Sequence, residues 1–116
     1  MELWINPACS KCRAATEAFD EAGIPYTVRR YLDDPPTAEE LEAVLTRLNL
    51  EPWDLIRPNE PEAEPLRTVP RDAAHRPTWI EAMTKHPILI QRPIITAADN
   101  TTAIARDPDS LAKFLP

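Results

Sequence analysis

The sequence has few of the residues on which several large classes of protein depend. Its basic side chains are outnumbered, because 13 lysines and arginines stand against 19 aspartates and glutamates and give a formal net charge of −6. A general nucleic-acid-binding protein normally presents a basic face, so this balance argues against direct nucleic-acid binding. No stretch approaches the roughly 20 apolar residues of a membrane-spanning helix, and the first residues lack the basic and apolar segments of a secretory signal. We therefore expect a cytoplasmic protein that contacts no membrane.

Metal ligands are also scarce, since the chain has only two cysteines and two histidines. Cys9 and Cys12 cannot form a four-ligand zinc site by themselves, and His75 and His86 are too far apart in sequence to complete one. We predict no metal site and no bound cofactor, and we expect both histidines to be surface or structural residues. A disulfide between the cysteines would close a four-residue loop and contribute only about 2 kcal/mol, so it would be a weak structural crosslink.

The two cysteines lie between a predicted strand and a predicted helix. Residues 2–5 are rich in strand-forming side chains and are followed by Pro7, which predicts a turn. Apolar residues recur at helical spacing from Ser10 onwards, and Gly23, the only glycine in the chain, lies where this helix is expected to end. Both cysteines therefore fall in the first turn of a helix.

That position favours a reactive thiol. The free N–H groups and the positive end of the helix dipole stabilise an anion there, and the basic side chains of Lys11 and Arg13 are expected to act in the same direction. A fall in thiol pKa from about 8.5 to about 7 raises the thiolate fraction at pH 7 from a few per cent to about half. We predict that Cys9 is the nucleophile and Cys12 the resolving thiol. The alternative is a pair of buried small hydrophobic residues.

The rest of the chain predicts alternating strands and helices. Residues 25–31 alternate as a strand does, Thr37 and Glu40 form a capping box before an apolar helical stripe, and Asn49 is a plausible end of that helix. The segment from Pro52 to Pro77 is rich in proline and glutamate, and we expect either a lid or a poorly ordered insertion. A helix is then predicted from residue 77 to before residue 87, followed by strands at 94–96 and 102–104 and a last helix after residue 107.

Four motifs in this order resemble the arsenate reductase (ArsC) and Spx family, and they are most similar to glutaredoxin-dependent arsenate reductases. The resemblance covers nearly the whole chain. It implies an α/β, thioredoxin-like fold, with a mixed four-stranded sheet flanked by helices, in a single domain of residues 1–116 with a helical, proline-rich insertion at about 52–86. The four motifs are Asn6–Arg13, Tyr31–Thr37, Leu55–Arg57 and His86–Ile94.

The resemblance also implies a site. Cys9 matches the catalytic thiol, Arg57, Arg92 and Arg106 match the three arginines that hold the oxyanion, and the Arg92–Pro93 bond matches a cis peptide beside the active site. The implied substrate is arsenate, another small oxyanion or a disulfide, with glutathione or another small thiol as co-substrate and a glutaredoxin-like reductant. The forked arginine side chain suits a tetrahedral oxyanion, although each arginine could instead be a solvated surface charge.

Two departures from the enzyme pattern leave the function open. Ile5 stands where arsenate reductases of this type have a histidine, and Cys12 stands where they have a serine. The C-x-x-C form is instead shared with Spx-type regulators, which sense oxidant through a disulfide and bind RNA polymerase. We therefore expect a thiol-dependent reductase of arsenate, and we keep two alternatives, a redox-switched regulator of Spx type and a thiol reductase whose substrate is not arsenate.

Overall fold

The computed structural model describes residues 1–116. Four strands and five α-helices form the chain, with three short 3-10 helices between them. All of the strands and α-helices except the helix Pro52–Leu55 follow the order expected from the sequence. The strands are β1 (Glu2–Ile5), β2 (Thr27–Arg30), β3 (Ile94–Thr96) and β4 (Thr102–Ile104). The α-helices are α1 (Ser10–Ala22), α2 (Ala38–Leu48), α3 (Pro52–Leu55), α4 (Arg76–Lys85) and α5 (Pro108–Ala112), and the 3-10 helices are Pro61–Leu66, Ala73–His75 and Pro87–Leu89.

The chain forms two compact units. The first contains Met1–Asp34 together with Arg92–Pro116, and the second contains Pro35–Gln91. The predicted insertion at about 52–86 lies inside the second unit, which starts earlier and also includes α2. No helix has both the length and the apolar character required to cross a membrane.

The first unit is built on a mixed sheet with the strand order β2-β1-β3-β4. β1 pairs in parallel with β2, and β3 pairs antiparallel with both β1 and β4. Leu3, Ile5 and Ile95 from the sheet pack with Phe19 of α1 and Phe114, which follows α5, in one buried cluster. This arrangement confirms the predicted thioredoxin-like fold, and it fixes α1 against the sheet at the end of β1 where the cysteines lie.

Local chemistry accounts for the helix ends that the sequence predicts. α1 ends at Gly23, whose φ of 69° lies in the left-handed region that glycine adopts without steric cost. The Thr37 side chain accepts the Glu40 N–H while the Glu40 carboxylate accepts the Thr37 N–H, which confirms the capping box of α2. α2 ends at Asn49, also in the left-handed region with a φ of 57°.

The proline-rich segment between α2 and α4 is folded into helical turns, so the interpretation of it as poorly ordered is wrong. Its turns bury Ala63 and Leu66, and the indole N–H of Trp79 donates to the carbonyl of Pro70 at 3.1 Å. Prolines at the first position of short helices keep such turns stable, because a proline there loses no hydrogen bond. The interpretation of the segment as a lid stays a prediction.

Candidate active site

Cys9 lies immediately before α1, at the turn that connects this helix to β1. Its backbone is extended, with φ −88° and ψ 126°, and its carbonyl accepts the N–H of Arg13 at 3.1 Å as the first turn of α1 begins. Its own N–H donates to the Asn6 carbonyl at 2.9 Å, and the Asn6 side chain accepts the N–H of Ala8 at 3.0 Å. The turn is therefore held at both ends, and the partly exposed Cys9 thiol is free.

The surroundings of Cys9 favour its thiolate. Burial raises the pKa of the Cys9 thiol, but four groups that stabilise the anion outweigh it and lower the pKa to about 7. These groups are the backbone N–H of Cys12, the side chain of Arg92, the backbone N–H of Lys11 and the thiol of Cys12. A large fraction of Cys9 is therefore ionised at neutral pH.

The cation beside the thiolate is not the one that the sequence indicated. Lys11 and Arg13 were expected to lower the Cys9 pKa through their charges, but both side chains are exposed, and Lys11 contributes through its backbone N–H. The side-chain cation in contact with the sulfur is Arg92, which lies 83 positions further along the chain. Successive positions on a helix point in different directions, so closeness in sequence to Cys9 does not put a charge against its sulfur.

Cys12 has the opposite character. It is fully buried in the core cluster of the first unit, and burial raises the pKa of its thiol to about 11 although the Asn6 N–H donates to its sulfur at 3.4 Å. The negative charge of Cys9 raises this pKa further. Cys12 therefore stays protonated at neutral pH, and its thiol lowers the pKa of Cys9. The alternative of two inert buried residues fits the burial of Cys12 but not the lowered pKa of Cys9.

Arg92 is the only charged residue among the buried residues, with 9% of its surface exposed. Cys9 and Tyr31 raise the pKa of its guanidinium, and together they outweigh burial, which alone would lower it. Its Nε and Nη1 atoms are buried without a hydrogen-bond partner. A buried cation with unsatisfied hydrogen-bond donors destabilises the fold unless an anion accepts hydrogen bonds from them. This guanidinium is therefore suited to bind an oxyanion beside the Cys9 sulfur.

Arg106 lies close to Arg92, and its predicted role in holding an oxyanion stays a prediction. Its side chain is exposed, and its Nη1 donates to the backbone carbonyl of Arg92 at 3.0 Å. It forms no ion pair with Asp107 or Asp109, and Asp107 instead accepts the N–H of Ser110 at 2.7 Å as the cap of α5. Arg106 therefore binds the backbone at Arg92 and not its acidic neighbours.

Arg57 belongs to the second unit, unlike the other candidate residues. Its N–H donates to the Leu89 carbonyl at 2.7 Å, and its Nη2 lies 3.4 Å from a carboxylate oxygen of Glu60. Its Nη1 atom is buried without a partner, as are two nitrogens of Arg92. The first unit thus contains Cys9, Cys12, Arg92 and Arg106, and the role of Arg57 stays a prediction.

Two further predictions concern Pro93 and the histidines. The Arg92–Pro93 peptide bond is cis, as expected, and the Pro93 carbonyl accepts the N–H of Ala105 at 2.9 Å. His86 is exposed, and His75 pairs with Asp72 on the surface of the second unit at 2.6 Å, so both are surface residues. No group of three or more His, Cys, Asp or Glu side chains is placed to hold a metal ion.

Two residues near the thiols were not singled out in the sequence. Asn6 holds both the turn and the Cys12 sulfur, and the buried Tyr31 raises the pKa of Arg92. Asn6 precedes the proline of the cysteine motif, and Tyr31 opens the second motif, so both lay in segments that carried the family resemblance. Their contacts could not be predicted from the sequence, because they depend on how the ends of β1, β2 and β3 lie beside one another in the sheet.

The sheet, α1 and the two free cysteines define a thioredoxin-like protein with a thiol of lowered pKa at the start of a helix. The ArsC family model matches residues 4–114, and the chain therefore belongs to the ArsC family. A protein of Streptomyces viridochromogenes called "Uncharacterized protein in glnII region" is 53% identical over 117 residues, which cover 99% of this chain and 98% of that protein. The arsenate reductase of Escherichia coli (strain K12) is 31% identical over 114 residues, covering 98% of this chain and 79% of that protein. The structure of the arsenate reductase from Vibrio cholerae matches with a TM-score of 0.86 and 29% identity, covering 99% of this chain and 98% of that one.

The ionisation of Cys9 can be tested directly. We expect the rate of its alkylation by iodoacetamide, measured as a function of pH in the Cys12→Ser variant and in the wild type, to rise with an inflection near pH 7, because the thiolate is the reactive form. Mass spectrometry identifies the modified residue. An inflection at or above about 8.5, the value of an unperturbed thiol, would contradict the lowered pKa.

Proposed function

We propose that the protein is a thiol-dependent oxidoreductase that reduces arsenate through Cys9. The observation that carries this proposal is the contact between an ionised thiol and a buried guanidinium with two unpartnered nitrogens, because it supplies a nucleophile and an oxyanion-binding group at one point. The arsenate reductases of Escherichia coli and Vibrio cholerae among its relatives support the same substrate.

The first step is the attack of the Cys9 thiolate on arsenic. A sulfur–arsenic bond forms while one oxygen of arsenate leaves as water after taking up protons, and arsenic stays in the pentavalent state. Arg92 offers charge-assisted hydrogen bonds to the remaining oxygens, each of which contributes roughly 1.5–3 kcal/mol. Because arsenate and Cys9 are both anionic, a fixed cation between them lowers the repulsion that the attack must overcome.

The second step reduces arsenic and needs a second thiol. This thiolate attacks the Cys9 sulfur, a disulfide bond forms, and the electron pair of the sulfur–arsenic bond passes to arsenic, which leaves as arsenite. A further thiol then reduces the disulfide and regenerates Cys9. The attacking thiol is a small thiol such as glutathione, a glutaredoxin, or Cys12, which lies one helical turn from Cys9. The two thiols that are consumed are co-substrates, and the proposal includes no bound cofactor.

The two alternatives share the reactive thiol and differ in the need for an anion site. A reductase of disulfides would use the same attack by Cys9. Its substrate is a neutral disulfide, however, which carries no anionic oxygen for the unpartnered buried donors of Arg92 to bind. A redox-switched regulator of Spx type would need only the contact between Cys9 and Cys12. A pull-down with RNA polymerase, with the protein in its oxidised and reduced forms, tests the regulator directly.

The decisive assay is arsenate-dependent NADPH consumption in the presence of a small thiol, glutaredoxin and the corresponding reductase. We expect turnover by the wild type that requires arsenate and saturates with it. A rate that does not depend on arsenate while a disulfide substrate is still reduced would favour the disulfide reductase. Absence of turnover with either substrate would refute the reductase and favour the regulator.

The role of Cys12 is tested by replacing it with serine and titrating the small thiol. Cys12 lies one helical turn from Cys9 and can attack a Cys9 adduct at high effective concentration, whereas an external thiol must arrive by diffusion. We expect the oxidised wild type to carry a Cys9–Cys12 disulfide, seen as the loss of two hydrogen masses. We also expect Cys12→Ser to lose most of its turnover at low thiol and to regain it as the thiol concentration rises. A variant with the same thiol dependence as the wild type would show that Cys12 takes no part in resolution.

A further inference from the structure

Asn6 forms three hydrogen bonds with the segment that carries the two thiols. Its carbonyl accepts the Cys9 N–H at 2.9 Å, and its Oδ1 atom accepts the Ala8 N–H at 3.0 Å. Its own N–H donates to the Cys12 sulfur at 3.4 Å. One buried residue therefore connects the backbone at Cys9 to the thiol of Cys12.

The two hydrogen bonds that Asn6 accepts explain the shape of the turn before α1. Asparagine is favoured at the first position of a β-turn and proline at the second, and Asn6 and Pro7 hold these positions. The side-chain bond to Ala8 closes an Asx turn inside this β-turn. Because Pro7 has no N–H, the first two N–H groups of the turn both donate to Asn6. The side chain of Asn6 thus restrains its own backbone at the end of β1.

The third hydrogen bond of Asn6 reaches a thiol that does not ionise readily. Cys12 lies in the core cluster, and burial raises the pKa of its thiol to about 11. A thiol attacks a disulfide as its thiolate, so this burial works against Cys12 as the resolving thiol. A donated N–H acts in the opposite direction, because it stabilises the anion, and the backbone of Asn6 lowers the pKa of Cys12.

We propose that Asn6 is a positioning residue for the resolving thiol, whose side chain keeps the Asn6 N–H on the Cys12 sulfur during the attack on a Cys9 adduct. The proposal rests on the part of the proposed function that makes Cys12 the resolving thiol, and it does not depend on arsenate as the substrate. The Asn6 side chain acts through the backbone N–H, which a substitution of the side chain leaves in place.

The step that Asn6 assists exchanges one disulfide for another. In an adduct of Cys9 with glutathione, the Cys12 thiol loses its proton and its thiolate attacks the Cys9 sulfur. The Cys9–Cys12 disulfide forms, the bond between Cys9 and glutathione breaks, and glutathione leaves as a thiolate that takes up a proton. A lower pKa makes the Cys12 thiolate less nucleophilic, but from a pKa of about 11 the gain in its fraction at neutral pH is larger.

An amide suits this position better than a carboxylate. Asp99 forms an Asx turn of the same kind between β3 and β4, where its Oδ1 atom accepts the Thr101 N–H at 3.0 Å, and Asp99 is exposed. Asn6 is instead only 9% exposed and lies against the Cys12 sulfur. A carboxylate there would be a buried negative charge that raises the pKa of the neighbouring thiol. The neutral amide accepts the same N–H without opposing the thiolate.

The test replaces Asn6 by alanine, which removes the Oδ1 acceptor and keeps the backbone groups. Reduced protein is mixed with oxidised glutathione and quenched with acid at intervals, and its intact mass separates the Cys9 adduct from the Cys9–Cys12 disulfide. We expect Asn6→Ala to slow the resolution of the adduct about tenfold, the effect of one lost hydrogen bond on a thiol that must be positioned. Asn6→Ser should restore part of the rate, because its hydroxyl accepts the same N–H more weakly.

The matched control is Asp99→Ala, which removes the other Asx turn with a 3.0 Å hydrogen bond from the same unit. It should leave the resolution rate unchanged, since Asp99 lies in the loop between β3 and β4. A wild-type rate in Asn6→Ala, or equal slowing in Asn6→Ala and Asp99→Ala, would overturn the proposal.

A second measurement separates an effect on Cys12 from a general effect on the site. In the Cys12→Ser background only an external thiol can remove the adduct, and we expect reduced glutathione to do so at the same rate with and without Asn6→Ala. Equal slowing with and without Cys12 would contradict the proposal. An adduct that the wild type never resolves would reject Cys12 as the resolving thiol, and the role of Asn6 with it. Resolution in a protein that does not reduce arsenate would keep the role of Asn6 and reject the arsenate substrate alone.

Hydrogen exchange keeps the proposal testable if Asn6→Ala does not fold. In Cys12→Ala the Asn6 N–H loses its acceptor, whereas the N–H groups of Ala8 and Cys9 keep theirs. We expect exchange of the Asn6 amide, followed by NMR, to become about tenfold faster than in the wild type, while exchange at Ala8 and Cys9 stays the same. An unchanged Asn6 amide, or equal acceleration at all three amides, would count against the proposed contact and reject the role of Asn6.

Discussion

Replacement of Cys9 by serine is expected to remove arsenate-dependent turnover. The neighbours of Cys9 lower the pKa of its thiol to about 7. The pKa of a serine hydroxyl is so much higher than that of a thiol that the same neighbours leave the hydroxyl protonated. Serine also has no sulfur to form the disulfide through which electrons pass to arsenic. Loss of a nucleophile costs enzymes on the order of 10⁶ in rate, so the rate should fall below detection in the NADPH-coupled assay.

The matched control for this variant is Cys12→Ser, which removes the other thiol of the same motif. Cys12 is buried in the core and Cys9 is partly exposed, so Cys9→Ser should disturb the fold less than the control does. Circular dichroism and the melting temperature report on folding. Cys12→Ser is expected to keep turnover at high thiol concentration. If folded Cys9→Ser retained more than about 1% of the wild-type rate, Cys9 would not be the nucleophile.

The sequence predicts the parts of this site that depend on neighbours along the chain. The place of Cys9 before α1 follows from a strand, a proline and a helical pattern within 20 residues, and the backbone N–H groups that stabilise its thiolate follow from that place. The end of α1 at Gly23 and the capping box at Thr37 are equally local, since each depends on residues within one helical turn. The family resemblance added the cis bond before Pro93, which residue patterns alone did not indicate.

The sequence does not predict which cation meets the thiolate. Lys11 and Arg13 are the nearest cations along the chain, but the contact belongs to Arg92, because the pairing of β3 with β1 brings that residue to the end of β1. The burial of Tyr31 also depends on the pairing of strands that are far apart in the sequence. Nothing in the pattern around Tyr31 distinguishes it from the exposed strand that precedes it. Both facts arise from strand register, which depends on segments far apart in sequence.

Replacement of Arg92 by alanine is expected to lower kcat/KM for arsenate by about 10- to 100-fold at pH 7. Loss of one charge-assisted hydrogen bond to the oxyanion accounts for roughly tenfold or more. The rest comes from the thiol, because the Arg92 side chain is one of the groups that lower the pKa of Cys9. Without it that pKa rises, so a smaller fraction of Cys9 is thiolate at pH 7.

The pH profile separates these two contributions. As the pH rises above the pKa of Cys9 in both proteins, both thiols become fully ionised and the part of the deficit that comes from ionisation disappears. The deficit of Arg92→Ala should therefore shrink between pH 7 and pH 9 and level off at the part that comes from oxyanion binding. A deficit that stays constant across this range would mean that Arg92 does not affect the ionisation of Cys9.

Arg92→Lys and Arg67→Ala complete the experiment. Lysine keeps the positive charge but lacks the planar set of N–H donors of the guanidinium. Compared with Arg92→Ala, Arg92→Lys should therefore restore the Cys9 pKa more fully than it restores the KM for arsenate. Arg67 is an exposed arginine of the second unit that pairs with Glu64 at 2.9 Å, and its replacement by alanine should leave both quantities unchanged. Wild-type kinetics in both Arg92 variants would show that this guanidinium does not bind the oxyanion. The unpartnered nitrogens of Arg92 would then need another explanation, because a buried cation without a ligand only destabilises the fold.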